Sequence, residues 1–174
     1  MEIFVTNDDG WGAKGILTIV RIMSELGHVT VVAPDGARSG MSNAITVTQP
    51  IYLRALNDPN WGTEDWQKNV TVYTTNGTPS DCAKLAIDVV CEGDSCKIDL
   101  LVSGINHGSN ASTAACYSGT LGAAEEAALN GIPAIGVSLD TLHPDADFSG
   151  VEKYFGDIFE KLMNNLPSRH GVYY

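Results

Sequence analysis

Residues 3–10 read Ile3-Phe4-Val5-Thr6-Asn7-Asp8-Asp9-Gly10, a short apolar run that breaks into a polar, glycine-closed loop. A run of this kind is a buried strand that carries its loop to one edge of a sheet. Downstream, Ile16, Ile19, Val20, Met23 and Leu26 recur at helical spacing, and Gly27 is a stop signal. His28-Val29-Thr30-Val31-Val32-Ala33 forms a second β-rich run, closed by Pro34-Asp35-Gly36. These pieces make a β-loop-α-β unit, whose two strands are expected to be parallel and joined by a right-handed crossover.

The alternation continues along the chain. Short strands are expected at 44–48 and 51–54, a polar excursion over 57–69, and a strand at 70–74 followed by the Asn76-Gly77 turn. Residues 79–90 suit a helix with Thr78 as N-cap, Pro79 at its first position and Asp81 in its first turn. Residues 98–103 are an apolar strand opening into the loop Gly104-Ile105-Asn106-His107-Gly108. An Ala-rich helix over 120–130, a strand over 134–139, an amphipathic helix over 151–165 and the opening of a strand at 171–174 complete the pattern. Alternating β and α elements predict a doubly wound, mostly parallel α/β sheet of Rossmann-like type, with residues 1–174 as a single domain. In such sheets ligands bind beyond the carboxyl ends of the strands, at a topological switch point.

Composition narrows the function classes. The 174 residues are 44% hydrophobic and 18% charged, with 18 glycines and a formal net charge of −11. That charge repels a phosphate backbone and argues against a duplex nucleic-acid partner. A small phosphorylated ligand remains compatible if a metal or a ring of backbone N–H groups offsets its charge locally. No apolar run approaches a membrane span, and no basic segment precedes a hydrophobic stretch at the N-terminus. A cytoplasmic protein with no membrane partner is the expectation. The four cysteines show no C-x-x-C pair and read as reduced thiols. The N-x-S/T triplets at Asn69, Asn76 and Asn110 read as coincidence.

Chemistry concentrates at the predicted strand ends. Asp8 and Asp9 are adjacent carboxylates, which raise each other's pKa unless a cation neutralises them. A hard divalent ion with oxygen ligands does this; the alternative is an Asn-Asp-Asp-Gly turn bonded to nearby backbone. Arg38-Ser39-Gly40-Met41-Ser42-Asn43 can supply a neutral oxygen ligand and backbone donors for an anion. Tyr117-Ser118-Gly119-Thr120 precedes an apolar helix, where free N–H groups favour a phosphate, although Ser118 and Thr120 also fit plain N-capping. His107 is the one histidine in a candidate loop and could protonate a leaving group, with a surface or capping role as the alternative. Trp11 is the aromatic expected nearest a ligand. Together these point to a metal site beside a phosphate site.

As an ordered set these loops resemble the SurE (survival protein E) family. The resemblance is carried by Thr6-Asn7-Asp8-Asp9-Gly10, Val31-Val32-Ala33-Pro34-Asp35, Arg38-Ser39-Gly40 with Ser42-Asn43, and Gly77-Thr78-Pro79-Ser80-Asp81-Cys82. Ser103-Gly104-Ile105-Asn106, Tyr117-Ser118-Gly119-Thr120, Gly131-Ile132-Pro133-Ala134 and Val137-Ser138-Leu139 extend it to about residue 140. It implies a metal-dependent phosphomonoesterase, a 5′-nucleotidase type that also takes 3′-monophosphates, working by attack of a metal-activated water. It assigns Asp8, Asp9, Ser39 and Asn106 to one divalent metal per subunit, with Asp8 and Asp9 as the catalytic pair. Hard oxygen ligands imply Mg²⁺ or Mn²⁺. Asn43 and the Ser118-Gly119-Thr120 turn would then hold the phosphate oxygens. The family also implies a homo-oligomer, dimer or tetramer, and a C-terminal extension that this chain is expected to lack. Residues 111–116 (Ala-Ser-Thr-Ala-Ala-Cys) lack the acidic residues many members carry there, and 57–69 and 91–96 read as local insertions.

Two other classes compete. A phosphoacceptor receiver module shares the fold and the acidic pair but needs an Asp ending its third strand and a late lysine. An inactive α/β binding module would keep the fold alone. A haloacid-dehalogenase-type phosphatase is disfavoured because its two aspartates are not adjacent.

Overall fold

The computed structural model describes residues 1–56, 58, 63–92, 97–143 and 145–166, together with the backbone of 172–173. Its strands are β1 (Glu2–Thr6), β2 (His28–Pro34), β3 (Leu53–Ala55), β4 (Val70–Thr75), β5 (Leu100–His107), β6 (Ala134–Leu139) and β7 (Val172–Tyr173). Its α-helices are α1 (Lys14–Ser24), α2 (Pro79–Leu85), α3 (Gly119–Leu129) and α4 (Ser149–Met163). The sheet order is β3-β4-β2-β1-β5-β6-β7, parallel except for the antiparallel β3–β4 pair. The chain winds outward from β1 through β2 to β4, then crosses back to place β5 on the other side of β1. The β1–β5 boundary is therefore the switch point, where the doubly wound sheet opens a crevice.

Each face of the sheet has its own apolar layer. On one face Ile3, Val5, Val29, Val31, Leu100 and Val102 pack with Ile16, Ile19 and Met23 of α1 and with Phe155 and Phe159 of α4. On the other, Phe4, Val32 and Leu101 pack with Cys82 and Ala83 of α2 and Ala123, Ala124 and Ala127 of α3. Alanine at these α3 positions lets that helix lie close to the sheet. Leu26, grouped by spacing with the α1 stripe, lies beyond the helix and is 43% exposed.

Local structure departs from expectation at several points, each for a physical reason. Residues 44–48 form no strand, because Thr46 gives its N–H and hydroxyl to the Asp81 carboxylate instead of a ladder. The helix expected over 79–90 is α through Leu85 and π-helical over Ala86–Val90. Its capping is as predicted: Thr78 Oγ1 accepts from Asp81 N–H at 3.0 Å, and Asp81 Oδ2 accepts from Thr78 N–H at 2.9 Å. Cys91 is disulfide-bonded, contrary to the expectation of reduced cysteines, whereas Cys82 and Cys116 are free. The π turn carries the chain out of the helix at Cys91, while Cys82 is wholly buried in the α2–sheet layer. The strand expected to end at Ser103 runs on to His107. A 3₁₀ turn, Ser112–Tyr117, leads into α3. Residues 57, 59–62 and 93–96, in the two expected insertions, lie outside the described residues, as do 171 and 174 of the expected last strand. No helix among the described residues is long and apolar enough to cross a membrane.

The α1–α4 face is held by burial more than by charge. Ile19 is fully buried, and burying such a side chain stabilises by about 1.5–3 kcal/mol. The Arg21–Glu152 ion pair joining the two helices is 48% and 41% exposed, a setting in which such pairs contribute about 0–1 kcal/mol. Urea unfolding should show Ile19→Ala losing about 2–5 kcal/mol. Arg21→Ala should lose less than about 1 kcal/mol.

Candidate functional site

The loop after β1 is built by Asn7. Its buried amide donates from Nδ2 to Gly10 O at 3.0 Å, and its Oδ1 accepts from Gly10 N–H at 3.1 Å. Gly10 has φ +99°, a conformation open to glycine. This turn sends Asp8 and Asp9 into the crevice between β1 and β5. The turn reading and the ligand reading of this segment are thus complementary: Asn7 makes the turn and leaves both carboxylates unspent on it.

Asn106 reaches the same crevice through a bulge in β5. Ser103 pairs with Gly136 and Asn106 with Ser138, so β5 carries one extra residue between those pairs. Val102 and Ile105, three apart, consequently share the α1 face, and Asn106 turns to the α3 face. In a regular strand the period of two would put Asn106 on the α1 side. Gly104 makes the bulge possible: its φ is +134°, and a Cβ there would lie 2.3 Å from Val137 O. Gly15 does the same for helix docking, since a Cβ would lie 2.1 Å from Ile105 O.

Asp8, Asp9, Ser39 and Asn106 all line one cavity of about 600 Å³. Ser39 sits on an exposed loop that is tied down at several points. Arg38 N–H donates to Asp8 O at 2.7 Å, Ser42 N–H to Tyr117 O at 3.1 Å, and Ser42 Oγ to Cys116 O at 2.9 Å. The Thr46–Asp81 bonds hold the far end, so Asp81 anchors the Ser39 loop from α2. Asn106 Nδ2 donates to Gly108 O at 2.7 Å, which turns its amide oxygen away from that carbonyl. Asp9 Oδ2 accepts from His107 N–H at 3.2 Å.

Asp8 is almost fully buried, and burial pushes its carboxyl above the ordinary value of 3.8. A hydrogen bond from Thr120 opposes that shift and the neighbouring Asp9 charge adds to it. Among the described residues no three His, Cys, Asp or Glu side chains converge on a metal position. A cation here would be held by two carboxylates plus the neutral oxygens of Ser39 and Asn106, a donor set that suits a hard divalent ion.

The expected phosphate-binding residues separate. Ser118 lines the cavity; its Oγ accepts from Leu121 N–H at 3.1 Å, which leaves its own proton to donate. Asn43 is exposed and gives its amide to Glu125 Oε2 at 2.7 Å. Gly119 packs on Asp8, where a Cβ would lie 3.2 Å from Asp8 Cβ. Thr120 is 0% exposed and donates to Asp8 Oδ1 at 2.6 Å. His107 lines the cavity, but its Nε2 meets His143 O at 2.7 Å, and a carbonyl only accepts, so the proton resides there. Trp11 packs against the α1-side core rather than lining the cavity. Asp140, directly after β6, also lines the cavity, with Tyr117 and Leu142. The strand-end rule that singled out Asp8 and Asn106 would have found Asp140 too.

Two predictions test this geometry. Asp8→Asn removes a buried charge while keeping an acceptor for Thr120, so it should raise the melting temperature of metal-free protein at neutral pH by roughly 2–4 °C. A carboxyl held above its ordinary value costs stability only where it is ionised, so this gain should vanish as the pH falls below 3.8. Calorimetric melts across pH check both parts. Gly104→Ala should cost at least about 1–3 kcal/mol in urea unfolding, because the left-handed backbone and the Val137 carbonyl both oppose a Cβ.

Comparison with known proteins agrees with this picture. The family described as "Survival protein SurE" matches residues 3–173. A 5′-nucleotidase SurE of Cytophaga hutchinsonii is 47% identical over 163 residues, covering 94% of this chain and 59% of that protein. One from Flavobacterium psychrophilum is 45% identical, covering 95% of this chain and 61% of its own length. The crystal structure of the SurE protein from Aquifex aeolicus superposes with a TM-score of 0.80 at 32% identity, over 97% of this chain and 62% of that one. The chain thus spans about three-fifths of the length of the relatives it matches. With its fold, its strand-end loops and nearly its whole length accounted for by that match, the chain belongs to the SurE family.

Proposed function

We propose that this chain forms the catalytic region of a divalent-metal-dependent phosphomonoesterase acting on nucleoside 5′- and 3′-monophosphates. The observation that carries the proposal is the charge of the cavity. Asp8, Asp9 and Asp140 line it, and no lysine or arginine among the described residues does. Such a pocket repels a phosphate dianion until a cation converts it, so turnover depends on metal. The relatives named 5′-nucleotidase SurE support the choice of substrate.

Asp8, Asp9, Ser39 and Asn106 would hold the ion, Mg²⁺ or Mn²⁺. When bound, that ion supplies Lewis-acid stabilisation of phosphoryl charge and acidifies water for in-line attack. The chain's own residues supply the rest. Ser118 offers its hydroxyl proton to a non-bridging oxygen beside the N-terminus of α3, where the helix dipole favours an anion. Tyr117 and Leu142, 69% and 83% exposed, give the cavity apolar walls suited to a base and sugar rather than to bare phosphate. The receiver alternative is disfavoured because β5, beside β1, offers Ser103 and Asn106 where a receiver needs its aspartate, and because β6 ends in Ser138-Leu139, followed by Asp140, without a lysine.

The test is phosphate release from nucleoside 5′- and 3′-monophosphates with Mg²⁺, with Mn²⁺ and with chelator. Continuous release that chelator abolishes is expected, falling at least about a hundredfold in Asp9→Asn. Release indifferent to chelator, or full activity in Asp9→Asn, would overturn the proposal.

A further inference from the structure

We infer that Thr120 is a positioning residue for the cation site rather than a phosphate ligand, its hydroxyl fixing the orientation in which the Asp8 carboxylate is presented to a divalent ion. The inference rests on the reading of Asp8 and Asn106 as ligands and adds a role that the ligand set does not contain. Thr120 is wholly buried and absent from the cavity wall, so it has no path to a substrate phosphate. Its Oγ1 lies 2.6 Å from Asp8 Oδ1 and 3.4 Å from Asn106 Oδ1. A hydroxyl has one proton, and at these distances it goes to the carboxylate. One lone pair of Asp8 Oδ1 is thereby engaged and the carboxylate is fixed in orientation, with its remaining lone pairs left for a cation. The Asn106 amide oxygen, already oriented by the Gly108 bond, receives no proton and keeps its lone pairs.

Two packing features serve this contact. Gly119 lets the start of α3 close on Asp8, where any side chain would meet Asp8 Cβ at 3.2 Å and Pro79 Cγ at 3.0 Å. Ser118 caps α3 through Leu121 N–H and so fixes the first turn on which Thr120 sits. Each charged or amide ligand then has its own orienting partner: Thr120 for Asp8, His107 N–H for Asp9 and Gly108 O for Asn106. Only the first is a side chain on a different element, which makes it the one that a substitution can remove cleanly. Partners of metal ligands in such positions commonly change affinity by about 10–100-fold.

The experiment is calorimetric titration of Mn²⁺ and of Mg²⁺ into wild type, Thr120→Val and Thr120→Ser, with a thermal melt of each metal-free protein. The inference expects Thr120→Val to weaken both ions about tenfold or more, and Thr120→Ser to stay within about twofold of wild type. If Thr120→Val does not fold, Thr120→Ala against Thr120→Ser isolates the hydroxyl at equal packing loss, with the same expectation. Equal metal affinity in all variants, with only the melting temperature lowered, would show a purely structural residue and overturn the inference. Unchanged metal affinity with weaker inhibition by inorganic phosphate would overturn it in favour of phosphate binding. Wild type that binds neither ion would remove the ligand reading itself, and the inference with it.

Discussion

Placing Asp8 in a buried position beside Asp9 is the constraint around which the rest of this structure is arranged. Burial disfavours the ionised form of Asp8, and the neighbouring Asp9 charge adds to the penalty. A fold selected for stability alone would put an amide there. What the fold supplies instead is a set of partial compensations that leave negative charge in place: the Thr120 hydroxyl on Asp8 and the His107 N–H on Asp9. Neither donor neutralises a charge. The paired negative charge is left in place, which is the feature the proposed cation site rests on.

The surrounding architecture exists to bring four chain segments to that point, and it does so through backbone contacts that tolerate little change. Gly122 is the clearest case outside β5. A Cβ there would lie 2.2 Å from Ser42 O, so α3 supports the Ser39 loop by direct backbone approach. The same helix carries Thr120 to Asp8 at its N-terminus. One element therefore sets both the orientation of a carboxylate and the height of the loop that bears Ser39. The Asp81 carboxylate completes the frame from α2 by holding Thr46 through two bonds.

Much of this was legible in the sequence, and the illegible parts share a cause. β1, β2, β4 and β6 could be read because apolar runs bounded by turn residues are local signals. Asp8, Asp9 and Asn106 could be placed at strand ends by the switch-point rule, and Ser39 by likeness to a family. The β5 bulge could not be read. Gly104 and Asn106 look like loop residues, and whether Asn106 faces α1 or α3 depends on one unpaired residue in a ladder with β6. The 44–48 segment misled for the same reason. Its β-like residues find hydrogen-bond partners on a side chain 35 positions away rather than on a neighbouring strand. Thr120 is the sharpest example. A threonine at the start of a helix suggests a cap or an anion donor, and only the tertiary approach of α3 to β1 turns its hydroxyl onto a carboxylate.

The overall charge of −11 and the chemistry at the switch point now bear on one another. A protein this acidic gains no long-range steering for an anionic substrate, and its cavity wall has no fixed cation among the described residues to draw one in. Under the proposed function, affinity for a phosphate is local and conditional, switched on by a cation held at Asp8, Asp9, Ser39 and Asn106. That conditionality gives the cavity a selectivity that a lysine- or arginine-lined pocket would lack. Ligands that bring a hard oxygen anion to the ion and an apolar body to Tyr117 and Leu142 satisfy both halves of the wall. Anions without the apolar body satisfy one. Under the proposed function, the same acidic surface that disfavours a nucleic-acid backbone leaves a small nucleotide as the phosphate ligand best matched to this crevice.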